Sequence, residues 1–412
     1  MSTAIPFGTD GIRGPYGQYP LDTQSLRHIA RTIAVYVSNG TVAIARDTRY
    51  SGVDILSLLT DELIQYGVHV YDCGVLPTAA LACVVVDGSM DLGIVITASH
   101  NPAKDNGIKL FSSRGDKLTK TEQAAFQDGF RQHPAVKQGT SNQHPDPTKP
   151  WLKRLPKPNL KGKRILLDCA HGSLAPYGQE ILEALGATVT SLASEPNGHN
   201  INDQVGALHP PKTIDDHDLA LCFDGDADRL ILCTPQGILD GDDILYLMKT
   251  GIQGPLIGTI MSNGGLESAL DNRLQRSKVG DQHVAALMKE HNALLGAEPS
   301  GHIIFKDGDM PAGDGMYAAL RILEHCVDSL NVDWERWPTA QTNVRFRLEK
   351  LPNHEKPALT DWNSIDEAHR TGHRTVVRYS GTEPKLRILV EGPQANRFCQ
   401  AIAAEFQNKL DH

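Results

Sequence analysis

The sequence has few of the features that are typical of membrane proteins, nucleic-acid-binding proteins or secreted proteins. No apolar run approaches the roughly 20 residues that a bilayer-spanning helix needs. The formal net charge of the 412 residues is −9, which disfavours nonspecific binding to nucleic acid and to anionic membranes. The first residues lack the basic-then-apolar pattern of a signal peptide. We therefore expect a cytoplasmic protein with no nucleic-acid or membrane partner.

The cysteines are few and scattered, which favours free thiols over a disulfide framework or a zinc site. The seven cysteines are odd in number and include no Cys-x-x-Cys pair. Several lie within apolar runs, as buried free thiols of a reducing compartment do. The chain also lacks a Walker loop, a dinucleotide fingerprint and the Gly-x-Ser-x-Gly elbow of the hydrolases, so the sequence gives those mechanisms no support.

A strand followed by a helix recurs three times, beginning near residues 42, 164 and 256. In the first two copies a second strand follows, which makes the unit of a parallel sheet. The last stretch of about 70 residues instead alternates as half-exposed antiparallel strands do, and it ends in an amphipathic helix. We predict an α/β protein with three tandem similar α/β domains, whose sheets are mixed and mainly parallel, and a smaller C-terminal α+β domain.

Chain length supports three to four domains at about 150 residues each. The stretch 133–150 is polar and rich in proline, which is typical of a linker. We predict domains at 1–145, 151–249, 250–340 and 341–412.

A loop with a hydroxyl group directly follows the apolar run 92–96. It reads Thr97-Ala98-Ser99-His100-Asn101-Pro102. Open α/β sheets place reactive groups beyond the carboxyl ends of their strands, so Ser99 could carry a phosphoryl group. The alternative for Ser99 is an ordinary turn residue, and His100 could be a turn or capping residue as readily as an acid or base. Lys109 could be a solvated lysine or a charge or proton relay.

Three alternating carboxylates follow the apolar strand at 219–223. Asp224, Asp226 and Asp228 can converge on one hard cation, which prefers oxygen ligands, and a solvated acidic turn is the alternative. An EF-hand would need a glutamate at loop position 12, where the chain has Pro235. Three aspartates leave Mg²⁺ short of octahedral coordination, so water or a phosphate oxygen would have to add a ligand.

The segment after residue 377 joins two strands and could bind an anion. Its backbone amides, with the hydroxyls of Ser380 and Thr382, can form a nest, and Arg378 or Arg387 could add charge-assisted hydrogen bonds. An ordinary hairpin is the alternative.

Two further segments carry candidate ligands for a sugar or a phosphate. Between two apolar strands, Glu298 and Ser300 could bind sugar hydroxyls, and His302 could contact a sugar or a phosphate. Arg13 lies in a Gly-rich segment and could approach a phosphoryl group, or it could be a surface arginine on a structural turn.

Four of these segments fall one in each predicted domain: the hydroxyl loop, the acidic loop, the loop with Glu298 and the segment after residue 377. The set resembles the α-D-phosphohexomutases over nearly the whole chain. The hydroxyl loop and the acidic loop are similar to the family's own. The resemblance implies an isomerase that moves phosphate between positions 1 and 6 of a hexosamine through a phosphoserine and a 1,6-bisphosphate, feeding UDP-N-acetylglucosamine and cell-wall precursor synthesis. The segments most similar to the glucosamine branch are FGTDGIRG at 7–14, EPNGHNIN at 195–202, VGD at 279–281 and RYSGTEP at 378–384.

The resemblance also implies a role for individual residues. Ser99 would be the phosphoserine, and one Mg²⁺ would be bound by its phosphate and by the three aspartates. Arg13, Lys109 and Arg229 would flank the reacting phosphoryl group, and the general base stays open among Lys109, His302 and Arg13. The substrate-binding residues would be Arg229, Glu298, Ser300, His302, Arg378, Ser380, Gly381, Thr382 and Arg387.

The resemblance is incomplete at the sugar loop. Family members usually have glycine before the glutamate and a more flexible residue after it, where this chain has Ala297 and Pro299. The first alternative is a phosphomannomutase or phosphoglucomutase with the same chemistry. A noncatalytic sugar-phosphate-binding protein and a metal-dependent phosphatase are the others. The expected partners are a hexosamine phosphate and its 1,6-bisphosphate, bound by a monomer or homodimer.

Overall fold

The computed structural model has three mixed, mainly parallel α/β sheets followed by a small antiparallel sheet, which confirms the predicted fold class. Among the residues that it describes, no helix combines the length and the apolar character needed to cross a bilayer. The described residues are 5, 7, 11–129, 132, 134–306, 308–327, 329–347, 358–360, 362–380 and 384–411.

The first sheet is built around buried apolar strands. Its elements are β1 (Ile12–Pro15), α1 (Thr23–Val37), β2 (Thr41–Arg46), α2 (Gly52–Gln65), β3 (His69–Val75), α3 (Thr78–Asp87), β4 (Leu92–Ile96), β5 (Asp105–Ser112), α4 (Lys120–Gly129) and β6 (Thr140–Gln143). The strand order is β1-β5-β4-β2-β3-β6, with β5 antiparallel to β4. Every residue of β4 is buried, as expected of a strand that is covered on both faces.

The predicted linker at 133–150 is wrong in part. Residues 149 and 150 begin a short helix, and residues 140–143 form β6, which pairs in parallel with β3 at the edge of the first sheet. All four side chains of β6 are exposed and polar, so the strand has no hydropathy signal. Its formation depends on backbone hydrogen bonds to β3, which the sequence pattern does not reveal.

The second and third sheets follow in chain order. The second contains β7 (Arg164–Asp168), α6 (Gly178–Ala184), β8 (Thr188–Leu192), β9 (Leu219–Phe223), β10 (Leu230–Thr234) and β11 (Gly237–Leu239), preceded by the short α5 (Lys149–Leu152). The third contains α7 (Gly241–Met248), β12 (Leu256–Thr259), α8 (Leu266–Ala269), β13 (Leu274–Ser277), α9 (Asp281–His291), β14 (Leu295–Ala297), β15 (Ile303–Phe305) and α10 (Gly315–Cys326). Their strand orders are β11-β10-β9-β7-β8 and β13-β12-β14-β15.

One arrangement of strands is repeated in all three sheets. The first parallel strand is central, the second lies on one side of it, the third lies on the other, and an antiparallel strand pairs with the third. The third strand is β4, β9 or β14, and its antiparallel neighbour is β5, β10 or β15. The loop between these two strands therefore occupies an equivalent position in each sheet, at the carboxyl end of a parallel strand.

Helix α3 joins the first sheet to the next. Its first eight residues are all buried and mostly apolar, as expected of a helix surrounded by protein. They belong to one apolar core that continues through the second and third sheets. The three units therefore pack as one body around a shared interior.

The C-terminal sheet has a separate core. Its elements are β16 (Thr339–Arg345), α11 (Asn363–Arg370), β17 (Arg374–Tyr379), β18 (Lys385–Glu391) and α12 (Ala395–Asp411). The strand order is β16-β18-β17, all antiparallel. The apolar face predicted for the last helix is buried here at Phe398, Ile402 and Phe406.

Candidate active site

The three equivalent loops converge on one cluster of charged side chains. The β4–β5 loop carries Ser99, the β9–β10 loop carries the three aspartates, and the β14–β15 loop carries His302. An isolated β-bridge joins Arg229 to His302, which brings the second and third loops together. This is the edge at which open α/β sheets bind their ligands.

Ser99 is buried and held in an uncommon backbone conformation. Its φ is +51°, in the left-handed region that non-glycine residues seldom adopt. Its backbone amide donates to Thr97 Oγ1 at 2.9 Å. Its hydroxyl donates to Asp224 Oδ2 at 2.7 Å, and Oγ lies 3.2 Å from His100 Nδ1. The hydroxyl of the first loop therefore contacts a carboxylate of the second.

The carboxylates of Asp224, Asp226 and Asp228 are all buried, and each offers an oxygen within 4.8 Å of the others. Burial and, after it, repulsion by the other two carboxylates raise the pKa of Asp224 well above its usual value. Among the described residues, Asp226 Oδ1 is buried without a hydrogen-bond partner. A buried set of acidic oxygens with an unused acceptor fits a hard divalent cation.

Lys109 compensates part of this negative charge. Its buried ammonium lies 2.7 Å from Asp226 Oδ2 and 2.7 Å from Asp228 Oδ2. Arg229 adds a second cation, with Nε 3.7 Å from Asp224 Oδ2. We call Ser99, Lys109, Arg229 and the three aspartates the Ser99 cluster.

Two histidines and Arg13 lie around the Ser99 cluster. His302 Nδ1 is 3.6 Å from Asp228 Oδ1. Burial, followed by the positive charges of Arg229 and Arg13, lowers the pKa of His100 to about 3. His100 is therefore a neutral imidazole at physiological pH in the unmodified protein. Arg13 is half-buried on β1, the strand that pairs with β5.

Helix N-termini from the neighbouring units face the acidic loop. Thr78, the first residue of α3, donates its amide to Asp226 O at 3.1 Å, and its hydroxyl donates to the Asp226 carboxylate. Gly315, the first residue of α10, donates its amide to Ala227 O at 2.9 Å. A β-carbon on Gly315 would lie 2.6 Å from Arg229 O, so the close approach requires glycine. Both helix dipoles favour negative charge in the loop between them.

The β14–β15 loop is a tight turn with one buried acidic side chain. The backbone amide of Glu298 donates to His302 O at 2.9 Å, and Gly301 has a φ of +93°. The Glu298 carboxylate accepts the amide of Gly280 at 2.8 Å, while Ser300 is exposed. The glutamate thus joins this loop to the segment before α9.

The fourth sheet contributes two arginines that face each other. Arg378 on β17 is paired in register with Arg387 on β18. Burial and the charge of Arg387 lower the pKa of Arg378. Both Nε atoms are buried, and neither has a hydrogen-bond partner within the described part of the chain. We call Arg378 and Arg387 the arginine pair, and two close guanidinium groups of this kind suit an anion.

Comparison with known proteins supports one family over nearly the whole length. Residues 4–135, 149–237, 240–336 and 344–408 match, in order, domains I, II, III and the C-terminal domain of phosphoglucomutase/phosphomannomutase. A phosphoglucosamine mutase of Solibacter usitatus is 36% identical, with 98% of each chain covered. One from Alkalilimnicola ehrlichii is 34% identical, covering 94% of this chain and 93% of the relative.

The chain belongs to the α-D-phosphohexomutase family. It is therefore a phosphohexomutase, an isomerase, as the sequence predicted.

Solved structures show the same fold. A phosphoglucomutase/phosphomannomutase family protein of Burkholderia thailandensis matches with a TM-score of 0.76 at 24% identity, covering 100% of this chain and 98% of that one. An Aspergillus fumigatus N-acetylphosphoglucosamine mutase, solved with GlcNAc-6P and magnesium, matches with a TM-score of 0.66 at 16% identity, covering 97% and 96%. At these identities the structures support the phosphohexomutase fold alone.

Most of the predicted site residues that the structure describes fall into two groups in this phosphohexomutase. Ser99, His100, Lys109, the aspartates, Arg229 and His302 come together, and the arginine pair lies on the fourth sheet beside the buried Ser380. Gly381 and Thr382 lie outside the described residues. The structure gives Lys109 a more definite position than the sequence did, because its ammonium contacts two of the aspartates.

Sequence reasoning missed several residues that contact the site. Thr78 and Gly280 bind Asp226 and Glu298, and Arg49 and Asn202 bind the backbone of the Ser99 loop. Thr78 and Arg49 follow parallel strands of the first sheet at the edge where Ser99 lies, which was a usable signal. Asn202 and Gly280 lie in the segments 195–202 and 279–281, whose family resemblance assigns no role to either residue.

Proposed function

We propose that this phosphohexomutase interconverts glucosamine 6-phosphate and glucosamine 1-phosphate through a phosphorylated Ser99 and glucosamine 1,6-bisphosphate. The observation that carries the proposal is the Ser99 hydroxyl, 2.7 Å from Asp224 within a buried group of three carboxylates. The choice of glucosamine is supported by the curated relatives, which are phosphoglucosamine mutases at 36% and 34% identity.

The acidic loop is the proposed magnesium site. Asp224, Asp226 and Asp228 would hold the ion together with a phosphate oxygen on Ser99, and Asp226 Oδ1 has an unused acceptor for it. When bound, Mg²⁺ would withdraw negative charge from the transferring phosphoryl group. The Lys109 ammonium lies between two carboxylates and contacts both, so we assign it charge stabilisation rather than the role of base.

In the proposed half-reaction a sugar hydroxyl oxygen bonds to phosphorus while the bond between phosphorus and Ser99 Oγ breaks. The hydroxyl proton passes to a base, for which His302 is the candidate, since the Arg13 guanidinium stays protonated and has no acceptor atom, and Ser99 Oγ takes up a proton. The hydrogen bond from Ser99 to Asp224 then belongs to the dephosphorylated state, since a phosphoserine has no hydroxyl proton. Positioning and charge neutralisation supply most of the catalysis in such transfers.

The bisphosphate must then turn so that its other phosphate faces Ser99. We propose that the arginine pair and Ser380, with the predicted Gly381 and Thr382, hold whichever phosphate is not being transferred. Two guanidinium groups with free Nε atoms recognise a phosphate in either orientation of the sugar. Closure of the fourth domain over the sugar would exclude water and limit hydrolysis. Glu298, Ser300 and Arg229 would contact the substrate between the two phosphate sites.

The test is a substrate panel with the purified enzyme, Mg²⁺ and a catalytic amount of glucose 1,6-bisphosphate. We expect faster turnover of glucosamine 6-phosphate than of mannose and glucose phosphates. Faster turnover of mannose or glucose phosphate would instead make the protein a phosphomannomutase or phosphoglucomutase. Binding without turnover would make it a noncatalytic sugar-phosphate-binding protein, and steady release of inorganic phosphate a phosphatase. Cytoplasmic location and a monomeric or homodimeric state stay predictions.

A further inference from the structure

Arg49 is a fully buried arginine that binds the backbone of the Ser99 loop. It follows β2, and its side chain has no exposed surface. Its Nη2 donates to Ser99 O at 3.0 Å and to Asn101 O at 2.8 Å. Its Nη1 donates to Asp105 O at 2.9 Å. The guanidinium therefore holds both ends of the loop and its centre.

Asn202 reaches the same two carbonyl groups from the second domain. Its Nδ2 donates to Ser99 O at 2.9 Å and to Asn101 O at 3.2 Å. Asn202 follows the segment 195–201, and its own amide donates to Ala170 O at 3.0 Å. Donors from two domains thus converge on one pair of carbonyl oxygens.

The amide side of Ser99 belongs to the same network. Asp47 Oδ2 accepts Arg49 Nε at 2.9 Å and Thr97 Oγ1 at 2.6 Å. Thr97 Oγ1 in turn accepts the amide of Ser99 at 2.9 Å. Both backbone polar groups of Ser99 are therefore fixed through Arg49, directly on the carbonyl side and by way of Asp47 on the amide side.

This restraint matters because Ser99 is in the left-handed region. A serine left to itself prefers negative φ, and rotation away from +51° would swing Oγ from its position beside Asp224. Gly225, in the acidic loop, also packs closely here, since a β-carbon on it would lie 2.6 Å from Ser99 O. The direction of the Ser99 hydroxyl therefore depends on how its carbonyl group is held.

We propose that Arg49 and Asn202 are positioning residues, which clamp the Ser99 and Asn101 carbonyl groups and so aim Oγ of Ser99 at the acidic loop. The inference rests on the proposed function, because it assigns the clamp to phosphoryl transfer at Ser99. Neither residue touches the reacting atoms. Asn202 belongs to the same domain as the three aspartates. Its side chain therefore also fixes the position of the Ser99 loop relative to those carboxylates.

The decisive variant is Asn202→Asp, which keeps the shape and the tolerance of positive φ but places acceptor oxygens against two carbonyl oxygens. We expect kcat to fall by about 10- to 100-fold, as a displacement of about 1 Å would cause. We also expect KM for the sugar phosphate and the melting temperature to stay near wild-type values. Intact-mass spectrometry should show slower phosphorylation of Ser99 from glucose 1,6-bisphosphate.

The matched control is Asn197→Asp, the same exchange in the same segment. The Asn197 side-chain oxygen accepts the amides of His199 and Asn200, and an aspartate keeps that role. This control should retain wild-type kcat. An equal loss in both variants would overturn the proposal, because added charge alone would then explain it.

The variant Arg49→Lys tests the clamp independently. A lysine has one nitrogen and cannot pair with Asp47 and hold the carbonyl groups together. We expect a larger fall in kcat than for Asn202→Asp, with a lower melting temperature because Arg49 is fully buried. Wild-type kcat in Asn202→Asp, or a loss confined to KM, would overturn the clamp while leaving the proposed function intact. An inactive wild-type enzyme on every hexose phosphate would instead overturn the proposed function and the clamp with it.

Discussion

The Ser99 cluster and the arginine pair both concentrate charge, but they differ in burial and in sign. The Ser99 cluster is buried and contains charges of both signs, whereas Arg378 and Arg387 are half-buried and both positive. In the Ser99 cluster the Lys109 ammonium contacts two aspartates at 2.7 Å. In the arginine pair, two guanidinium groups face each other, and burial together with the neighbouring charge lowers the pKa of Arg378. Even a partly buried charge without a counter-charge is unfavourable until a ligand supplies one.

This difference indicates what each end of the site is built to receive. Under the proposed function, the Ser99 cluster stays folded around its own charges and also accepts a cation and a phosphoryl group. The arginine pair would gain its counter-charge only when an anion binds. Removing charge should therefore damage catalysis and stability at the first end, and substrate binding alone at the second.

The largest expected effect is at Ser99 itself. Ser99→Ala should lower mutase activity by about a thousandfold or more, because the group that carries phosphate is lost. The variant should still fold, since the alanine removes one hydroxyl from a buried loop, and circular dichroism with thermal melting checks this. Undiminished isomerisation by Ser99→Ala would refute the assignment of Ser99.

Removal of divalent cations should come next. Chelation with EDTA should lower activity by about a hundredfold or more, and Mg²⁺ should restore it. Added Mg²⁺ should also raise the melting temperature, because three buried carboxylates gain a counter-charge. In Asp226→Asn, Mg²⁺ should restore less activity and raise the melting temperature by less. Full activity in EDTA would show that the carboxylates act without a metal.

Lys109→Met should reveal the internal balance of the Ser99 cluster. It leaves two buried carboxylates without their ammonium, so we expect about 3–5 kcal/mol of lost stability, as for other broken buried ion pairs. Chemical denaturation measures the loss, and Mg²⁺ should recover part of it. Lys104→Met changes an exposed lysine of the same segment and should be neutral. Equal stability of the two variants would contradict the proposed balance.

At the arginine pair the prediction reverses. Arg378→Gln or Arg387→Gln should raise KM for sugar phosphates by about 10- to 100-fold, through loss of charge-assisted hydrogen bonds. The melting temperature should stay the same or rise, because one of two like charges is gone. Arg370→Gln, at an exposed arginine of the same domain, is the control. A large fall in stability with unchanged KM would make the arginine pair structural.

The smallest effect concerns His100. Its pKa of about 3 in the folded state lies below the usual value near 6.5, so the unfolded chain binds more protons between these pH values. From pH 7 to pH 5, His100 should therefore lower the stability of the metal-free, unphosphorylated protein by about 1–2 kcal/mol, while the raised pKa of Asp224 acts in the opposite direction. The His100 contribution is the difference between the pH dependences of wild type and His100→Gln in denaturation curves. Identical pH dependences would mean that burial and the charges of Arg229 and Arg13 do not lower the pKa of His100.

The fold was predictable where burial leaves a periodic or continuous apolar signal. The strand before Ser99 and the strand before Asp224 are uninterrupted apolar runs, so their ends, and the loops beyond them, could be located from the sequence. Polar β6 carries no such signal, and the prediction of a linker there is wrong. The strand pairs with β3 through backbone N–H and C=O groups, which every such residue has, so its side chains do not reveal the pairing.

Within the site, residue type was predictable but contact was not. The family resemblance predicts that Ser99 and the aspartates belong to one site. The 2.7 Å contact between Ser99 and Asp224 depends on packing between two domains, which the sequence does not reveal. Arg49 gave no sign of complete burial, because arginine is usually a surface residue. The hydrogen bond from the Gly280 amide to the Glu298 carboxylate joins two separate loops, and no local sequence pattern predicts it.

The repeated position of the three loops has a consequence for how substrate range can change. The proposed phosphate carrier, metal ligands and sugar ligands lie on three separate copies of the same strand–loop–strand unit. If the loops have these proposed roles, substitution in the third copy would alter the sugar that is accepted without disturbing the nucleophile or the metal site in the other two. Ala297 and Pro299, which flank Glu298, lie in that third copy. Under the proposed function, sugar specificity would then change independently of the phosphoryl-transfer chemistry.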